Sequence, residues 1–158
     1  MTSPVDLVAR LRQRGWQLAT AESLTGGALC STIVSVPGAS QVLVGGVVAY
    51  ATEIKQHLLR VDPGLLREHG PVHADVARQM AENVGAVLAP DAAVTPVGLS
   101  TTGIAGPDSP DGQPVGTVYI GVSTANDTIV RRFLFEGDRA SIRQQSVDAA
   151  IALAQEHC

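Results

Sequence analysis

Ser23 lies in the stretch of the chain best suited to chemistry, the small-residue segment 21–27 between two apolar runs. An apolar run, a turn with two glycines and a second apolar run predict a strand that enters a helix through a tight corner. Gly26 and Gly27 let a ligand approach the backbone closely, and N–H groups at the start of a helix attract negative charge. The corner therefore suits either a serine nucleophile or a phosphate-binding turn, and these residues alone do not choose between the two.

Lys55 is the candidate base that would activate Ser23. It is the only lysine among eleven basic residues, and a lysine, unlike an arginine, can lose its proton when it is buried. Lys55 follows Tyr50 at the end of the next apolar run, and catalytic groups of α/β sheets gather beyond the carboxyl ends of the strands. A Ser–Lys pair with Tyr50 as proton relay or orienting group is a coherent set for acyl transfer. The alternative is a solvated lysine left by an arginine-rich composition, next to an ordinary strand-end tyrosine.

Two later segments offer groups that suit an anion. The glycine-rich turn 101–107 follows a predicted strand, so its N–H groups suit an oxyanion or a phosphate, although such a turn is more often a simple tight connection. Arg139 and Arg143 stand one turn apart at the start of the last predicted helix, where they suit a phosphate clamp. They are equally suited to pair with Asp138 and Glu136 as surface charges.

Histidine and metal chemistry are not indicated by the sequence. The four histidines fall in predicted helices or loops and none follows a strand, which argues against a histidine-based triad. No pair of His, Cys or Asp residues has the spacing of metal ligands, and the two cysteines form neither a disulfide framework nor a zinc pattern. No metal site is therefore expected.

An α/β sandwich would bring the candidate residues together. Strands are predicted over residues 16–21, 42–50, 97–102, 115–124 and 128–135. Helices are predicted over residues 4–14, 26–35, 53–59, 63–69 and 74–88 and from residue 139 onward. Strands alternate with helices at first and an antiparallel hairpin follows, which predicts a three-layer α/β/α sandwich with a mixed sheet. The run 42–50 is apolar almost throughout, which favours a strand buried on both faces, although Gly45 and Gly46 weaken it.

Length and composition are typical of a compact globular protein. The 158 residues are most simply one domain. A composition with 45% hydrophobic and only 16% charged residues argues against disorder. A net charge of −4 disfavours a general nucleic-acid binder, and no apolar run is long enough for a membrane span. Residues 1–14 mix charged and apolar side chains, unlike a secretory signal, so we expect a cytoplasmic protein with no nucleic-acid or membrane partner.

Five segments, in their order along the chain, resemble the CinA C-terminal domain family. They are residues 20–27 (TAESLTGG), 48–50 (VAY) followed by Lys55, 102–107 (TGIAGP), 114–117 (PVGT) and 137–139 (GDR). Each motif alone is weak, but the set is specific, and the resemblance covers nearly the whole chain as a single domain. Enzymes of this family hydrolyse the amide of nicotinamide mononucleotide. The resemblance therefore implies a deamidase that produces nicotinate mononucleotide and ammonia.

The resemblance also implies roles for individual residues. Ser23 is then the nucleophile, and Lys55 and Tyr50 are its activating partners. Residues implied to bind the substrate are Thr25, Gly26, Gly27, Ser40, Thr102, Gly103, Gly106, Arg139 and Arg143. No metal or organic cofactor is expected, the partner is a small pyridine mononucleotide, and family members are commonly homo-oligomers.

Three positions depart from the family pattern and bear on substrate preference and rate. Leu24 stands where many relatives have cysteine, residues 71–73 (PVH) replace a small-Val-Ser turn, and residues 92–96 form a short insertion. The proposed catalytic set is nevertheless complete. Two other classes of function stay open: a non-catalytic module that binds a nucleotide through the glycine turns, and an interaction protein of competence or DNA-damage responses.

Overall fold

Five strands form one mixed sheet in a computed structural model that describes residues 3–158. The strands are β1 (Leu18–Glu22), β2 (Leu43–Val48), β3 (Val97–Gly103), β4 (Thr117–Ser123) and β5 (Thr128–Leu134). Their order across the sheet is β2-β1-β3-β4-β5. β1 runs parallel to β2 and β3, whereas β4 is antiparallel to both β3 and β5. The predicted mixed sheet with an antiparallel hairpin is confirmed.

Within the described residues, six α-helices cover the two faces of this sheet. They are α1 (Pro4–Arg14), α2 (Ala28–Val34), α3 (Thr52–His57), α4 (Pro63–His69), α5 (Ala74–Leu88) and α6 (Arg139–His157). Helices α1, α2 and α6 pack on one face around one apolar cluster, and α5 covers the opposite face with α4 beside it. The predicted three-layer α/β/α sandwich is therefore confirmed. None of the helices between residues 3 and 158 is both long and apolar enough to cross a membrane.

Helix boundaries follow local signals in the sequence. The side chains of Ser3, Asp62 and Asp138 each accept a hydrogen bond from a backbone N–H group in the first turn of a helix. Helix α1 ends at Gly15, which has a left-handed backbone with φ of 66°. Because such caps satisfy N–H and C=O groups that have no partner within the helix, a few neighbouring residues are enough to set these boundaries.

Two glycines allow α5 to lie close to the sheet. A Cβ atom at Gly98 of β3 would overlap the carbonyl oxygen of Ala81, and a Cβ atom at Gly121 of β4 would lie 2.7 Å from that of Ala77. The Ser100 hydroxyl also donates to the Ala77 carbonyl over 2.6 Å. These contacts fix the position of α5 against β3 and β4.

Strand β2 differs from the prediction in its burial. The apolar run 42–50 predicts a strand buried on both faces, but β2 lies at the edge of the sheet and pairs only with β1. Val48, its last residue, is 48% exposed. An apolar run does not reveal whether its strand is central or at an edge, because that is decided by pairing with strands distant in the chain. Since β2 stops at Val48, residues 49–51 form the loop that leads to Lys55.

Candidate active site

The carboxyl ends of the three parallel strands open into one cavity of about 450 Å³. Ser23 follows β1, Tyr50 and Lys55 follow β2, and Thr102 lies near the end of β3. Residues predicted for the site that line this cavity are Ser23, Tyr50, Lys55, Thr102, Gly103, Gly106 and Arg139. Ligands of open α/β sheets bind at this edge, and the volume lies in the ~300–1,000 Å³ range of small-molecule sites.

The side chain of Lys55 ends among three oxygen atoms. Its Nζ atom is 2.8 Å from the Oγ atom of Ser23, 2.7 Å from the carbonyl oxygen of Ala49 and 3.2 Å from that of Tyr50. Lys55 is 1% exposed and Ser23 is 8% exposed. Because the two carbonyls accept one N–H each, the third tetrahedral position of the nitrogen faces the serine. That position holds a hydrogen atom in the ammonium form and a lone pair in the amine form.

Burial without a counter-ion makes the amine form of Lys55 accessible. No carboxylate within residues 3–158 forms an ion pair with it, and burial lowers its pKa from 10.5 to about 8. The charged form of Lys55 loses its hydration on burial, and hydroxyl and carbonyl dipoles compensate for this loss only in part. A substantial fraction of molecules therefore holds a neutral Lys55 at mildly alkaline pH, and the neutral amine can accept the proton of Ser23.

Glu22 shapes the corner around Ser23, a role not predicted from the sequence. Its buried carboxylate accepts hydrogen bonds from the N–H groups of Gly27, Leu29 and Cys30 over 3.0, 3.0 and 2.8 Å. A carboxylate at the start of a helix is stabilised both by these donors and by the helix dipole. The sequence signal that could have indicated this role of Glu22 is an acidic residue at the end of a strand, a few positions before the glycine that precedes a helix.

The two glycines of the corner offer no free N–H groups. Gly27 donates to Glu22, and Gly26 donates to the carbonyl oxygen of Ser23 over 3.1 Å. Both glycines have left-handed backbones, with φ of 60° at Gly26 and 98° at Gly27. A phosphate at this corner would have to displace these bonds. Of the two interpretations of the corner, the geometry therefore favours a serine nucleophile over a phosphate-binding turn.

Free N–H groups lie elsewhere in the cavity wall. Among the hydrogen bonds of residues 3–158, the N–H groups of Leu24, Ala105 and Gly106 have no protein acceptor, and all three residues line the cavity. Gly103 is the last residue of β3 and pairs with Val118 of β4. The N–H group of Ser23 donates to the carbonyl oxygen of Thr101 in β3 over 3.0 Å, so the corner lies beside the end of β3, and the N–H groups of Leu24, Ala105 and Gly106 are candidate donors for an oxyanion.

Arg143 and Thr25 support the corner from outside the cavity lining. Arg143 donates from Nε to the carbonyl oxygen of Leu24 over 2.9 Å and from Nη2 to that of Thr25 over 3.1 Å. Thr25 is buried, and its hydroxyl oxygen is 2.8 Å from that of Thr101 in β3. The corner is thereby tied to α6 on one side and to β3 on the other.

Tyr50 reaches towards α6, and its hydroxyl does not contact the Ser23–Lys55 pair. Its hydroxyl oxygen accepts a hydrogen bond from Nη2 of Arg139 over 3.2 Å, and Nη1 of Arg139 donates to the carbonyl oxygen of Gly106 over 2.7 Å. The tyrosine is 60% exposed. Lys55 meets only the backbone carbonyl of Tyr50. Of the two routes considered for proton transfer from Ser23, the geometry therefore favours the direct one.

The loop before α5, which includes Pro71 and Val72, forms the cavity wall on the face of the sheet opposite α6. The Thr102 hydroxyl donates to the carbonyl oxygen of Pro71 over 2.7 Å, which joins β3 to this loop. The Nδ1 atom of His73 accepts a hydrogen bond from the N–H group of Asp75 over 3.1 Å. An imidazole thus caps α5 at residue 73 of this chain.

Ser40 and the segment 92–96 lie away from the cavity. Ser40 is exposed in a short 3-10 helix, Ala39–Gln41, just before the amino end of β2. The six residues of β2 separate it from the carboxyl edge by roughly 17 Å. Residues 92–96 lie in the loop that enters β3, at the same amino edge as Ser40. The structure therefore does not bring Ser40 and Ser23 of one chain together.

Comparison with known proteins gives consistent matches along the whole chain. Residues 2–158 match the CinA C-terminal domain family. A CinA-like protein of Frankia casuarinae is 43% identical over 145 residues, which cover 92% of this chain and 32% of that protein. The chain spans about a third of the length of the curated relatives it matches.

Solved structures match the fold over nearly their full length. The competence-damaged protein (CinA) superfamily protein of Klebsiella pneumoniae is 31% identical with a TM-score of 0.88, covering 97% of this chain and 94% of that chain. The competence or damage-inducible protein of Enterobacter asburiae is 26% identical with a TM-score of 0.89, covering 100% of both chains. The mixed sheet and its helices thus have the architecture of CinA superfamily proteins.

Proposed function

The chain belongs to the CinA C-terminal domain family, and on that premise we propose that it is a serine-dependent amidohydrolase that converts nicotinamide mononucleotide to nicotinate mononucleotide and ammonia. The observation that carries the proposal is the 2.8 Å contact between Lys55 Nζ and Ser23 Oγ in the wall of a cavity. A buried lysine without a counter-ion, directed at a serine hydroxyl, suits a base paired with a nucleophile.

The first half of the reaction forms an acyl-enzyme. Neutral Lys55 takes the hydroxyl proton while Ser23 Oγ attacks the carboxamide carbon, which gives a tetrahedral oxyanion. The N–H groups of Leu24, Ala105 and Gly106 are candidate donors for that oxyanion. When the C–N bond breaks, the Lys55 ammonium returns its proton to the leaving nitrogen, and ammonia departs.

The second half of the reaction releases the acid. A water molecule attacks the ester carbon, and Lys55 accepts the proton of the water. The ester oxygen then leaves as Ser23 Oγ and recovers a proton from Lys55, which regenerates the starting pair. In each half of the reaction, one group must first accept a proton and then donate it. The two carbonyl contacts of Lys55 hold its nitrogen in one position for both transfers.

Arg139 is the proposed partner of the phosphate. It lies in the cavity wall, and it uses one N–H on the Gly106 carbonyl and one on the Tyr50 hydroxyl. A guanidinium has five N–H donors, so three remain for an anion. The Gly26–Gly27 corner, whose N–H groups are occupied, leaves this role to Arg139. That difference weighs against a module that merely binds phosphate through the glycine corner.

The test is ammonia release by the wild-type chain from nicotinamide mononucleotide, measured beside nicotinamide and nicotinamide adenine dinucleotide. We expect release from the mononucleotide, none from the Ser23→Ala variant, and weaker release from nicotinamide, which has no phosphate for Arg139. Binding of the mononucleotide by the wild type with no ammonia would contradict the proposal and support a binding module. A stoichiometric protein partner without nucleotide affinity would support an interaction protein.

A further inference from the structure

Two carboxylates share the cavity with the proposed catalytic pair. Asp108 and Asp111 both lie in the loop between β3 and β4, and both line the cavity. Neither forms an ion pair with any group within the described part of the chain. The cationic groups that line the same cavity are Lys55 and Arg139. In the amine form of Lys55, the lining therefore carries one positive and two negative charges.

Asp111 is held against the α5 side of the cavity. Gln113 Nε2 donates to Asp111 Oδ2 over 3.1 Å and also to the carbonyl oxygen of Val72 over 2.8 Å. A Cβ atom at Gly70 would lie 3.8 Å from the same Asp111 oxygen, so the carboxylate rests beside the loop that precedes α5. One amide side chain thus fixes both the carboxylate and the loop that forms this wall.

Arg139 approaches the cavity from the opposite layer. It is the first residue of α6, which packs on the face of the sheet opposite α5. Ser23 follows β1 in the sheet layer between them. The cavity is therefore positive at the α6 wall and negative at the α5 wall, with the nucleophile in the layer between the two. A ligand that carries charges of both signs matches this arrangement, whereas a simple anion meets the Asp111 wall unfavourably.

We propose that Asp111 makes the site selective for amides whose ring is positively charged, in molecules that also carry an anionic group. The proposal rests on the proposed function, because the carboxamide must lie at Ser23 and the anion at Arg139. The pyridinium ring then occupies the cavity that Asp111 also lines, and the attraction of opposite charges in a hydrated cavity is worth about fivefold in affinity.

Nicotinamide mononucleotide and its reduced dihydropyridine form test this selectivity. The two share the carboxamide, the ribose and the phosphate, but only the oxidised ring is cationic. Binding is measured by titration calorimetry with the Ser23→Ala variant, so that intrinsic reactivity of the amide does not enter. Asp111→Asn is then added in the same background, since asparagine keeps the oxygen that accepts from Gln113. Asp91→Asn removes the same charge in the loop after α5, at the far edge of the sheet.

We expect the Ser23→Ala variant to bind the oxidised form about fivefold more tightly than the reduced form. Asp111→Asn should bring this ratio close to one by weakening only the oxidised form, and Asp91→Asn should leave it unchanged. Equal weakening of both forms would overturn the proposal in favour of contact with the ribose hydroxyls. Unchanged affinities for both forms would also overturn it. If the selectivity holds but the wild type releases no ammonia, the proposed function fails alone; if neither form binds, both proposals fall.

Discussion

Lys55 Nζ lies 2.8 Å from Ser23 Oγ although 32 positions separate the two residues in the chain. The parallel pairing of β1 and β2 produces this contact, because Glu22 and Val48 are register partners and the chain continues from each into the site. Ala49 and Tyr50 then turn their carbonyl oxygens towards the lysine nitrogen. A buried amine, a serine hydroxyl and two backbone dipoles are thereby combined, and no carboxylate of residues 3–158 forms an ion pair with the amine.

Lys55→Arg should be nearly inactive. A guanidinium stays protonated at any working pH and cannot take the proton of Ser23. We expect kcat for ammonia release to fall by a factor of about 10³ or more, as it does when a nucleophile loses its base. Circular dichroism and a melting curve would check that the variant is folded. An Arg variant with wild-type kcat would exclude Lys55 as the base.

The pH dependence of kcat/KM should report the ionisation of Lys55. Burial lowers the pKa of Lys55 to about 8, and only the neutral amine accepts the serine proton. The rate should therefore climb with pH until it levels off above a midpoint near that pKa. Steady-state assays with nicotinamide mononucleotide across this range measure it. A level profile on both sides of the midpoint would contradict the assignment of Lys55 as base.

The same pKa shift predicts a pH-dependent stability. Between about pH 8 and pH 10.5, the unfolded chain keeps a proton on Lys55 that the folded chain has released. The free energy of unfolding should thus rise with pH in this window by up to about 1.4 kcal/mol per pH unit from this residue, roughly 3 kcal/mol in total. Below the window the full cost of a buried charge is present. Urea unfolding of wild type and Lys55→Met at several pH values should show the difference, and parallel curves would refute it.

Glu22→Gln should loosen the corner that presents Ser23. The amide has only one acceptor oxygen, while the carboxylate serves three N–H groups. We expect a loss of about 1–3 kcal/mol in the free energy of unfolding and a lower kcat with little change in KM. Glu82→Gln, on an exposed position of α5, is the matched control and should change neither. A Glu22→Gln enzyme with unaltered melting temperature and kcat would show that the carboxylate is dispensable.

Tyr50→Phe separates direct proton transfer from a relay. The Tyr50 hydroxyl contacts Arg139 and not the Ser23–Lys55 pair. If Lys55 acts directly, loss of the hydroxyl should lower kcat by less than about tenfold, a change of about 1.4 kcal/mol. The effect should fall mainly on KM, because Arg139 loses an orienting contact. A loss in kcat as large as that of Lys55→Arg would instead indicate a relay through the phenol.

The sequence predicted the local features of this protein well. Ser3, Asp62 and Asp138 cap helices, as residues of these types commonly do, and the strands end close to the predicted residues. The alternation of strands and helices followed by a hairpin was enough to predict the three-layer sandwich. It also placed Ser23 and Lys55 at one edge, because the carboxyl ends of parallel strands meet there.

The way in which the site residues face one another could not be predicted from local sequence signals. The edge position of β2, the separation of Ser40 from Ser23 and the contact of Tyr50 with Arg139 depend on strand order and side-chain direction. Glu22 accepts hydrogen bonds from N–H groups at the N-terminus of α2. This contact favours a serine nucleophile over a phosphate-binding turn at residues 21–27. The two kinds of feature differ in the separation along the chain of the residues that produce them. Caps and apolar periodicity arise among neighbours in the chain, whereas register, burial and desolvation arise between segments that meet only after folding.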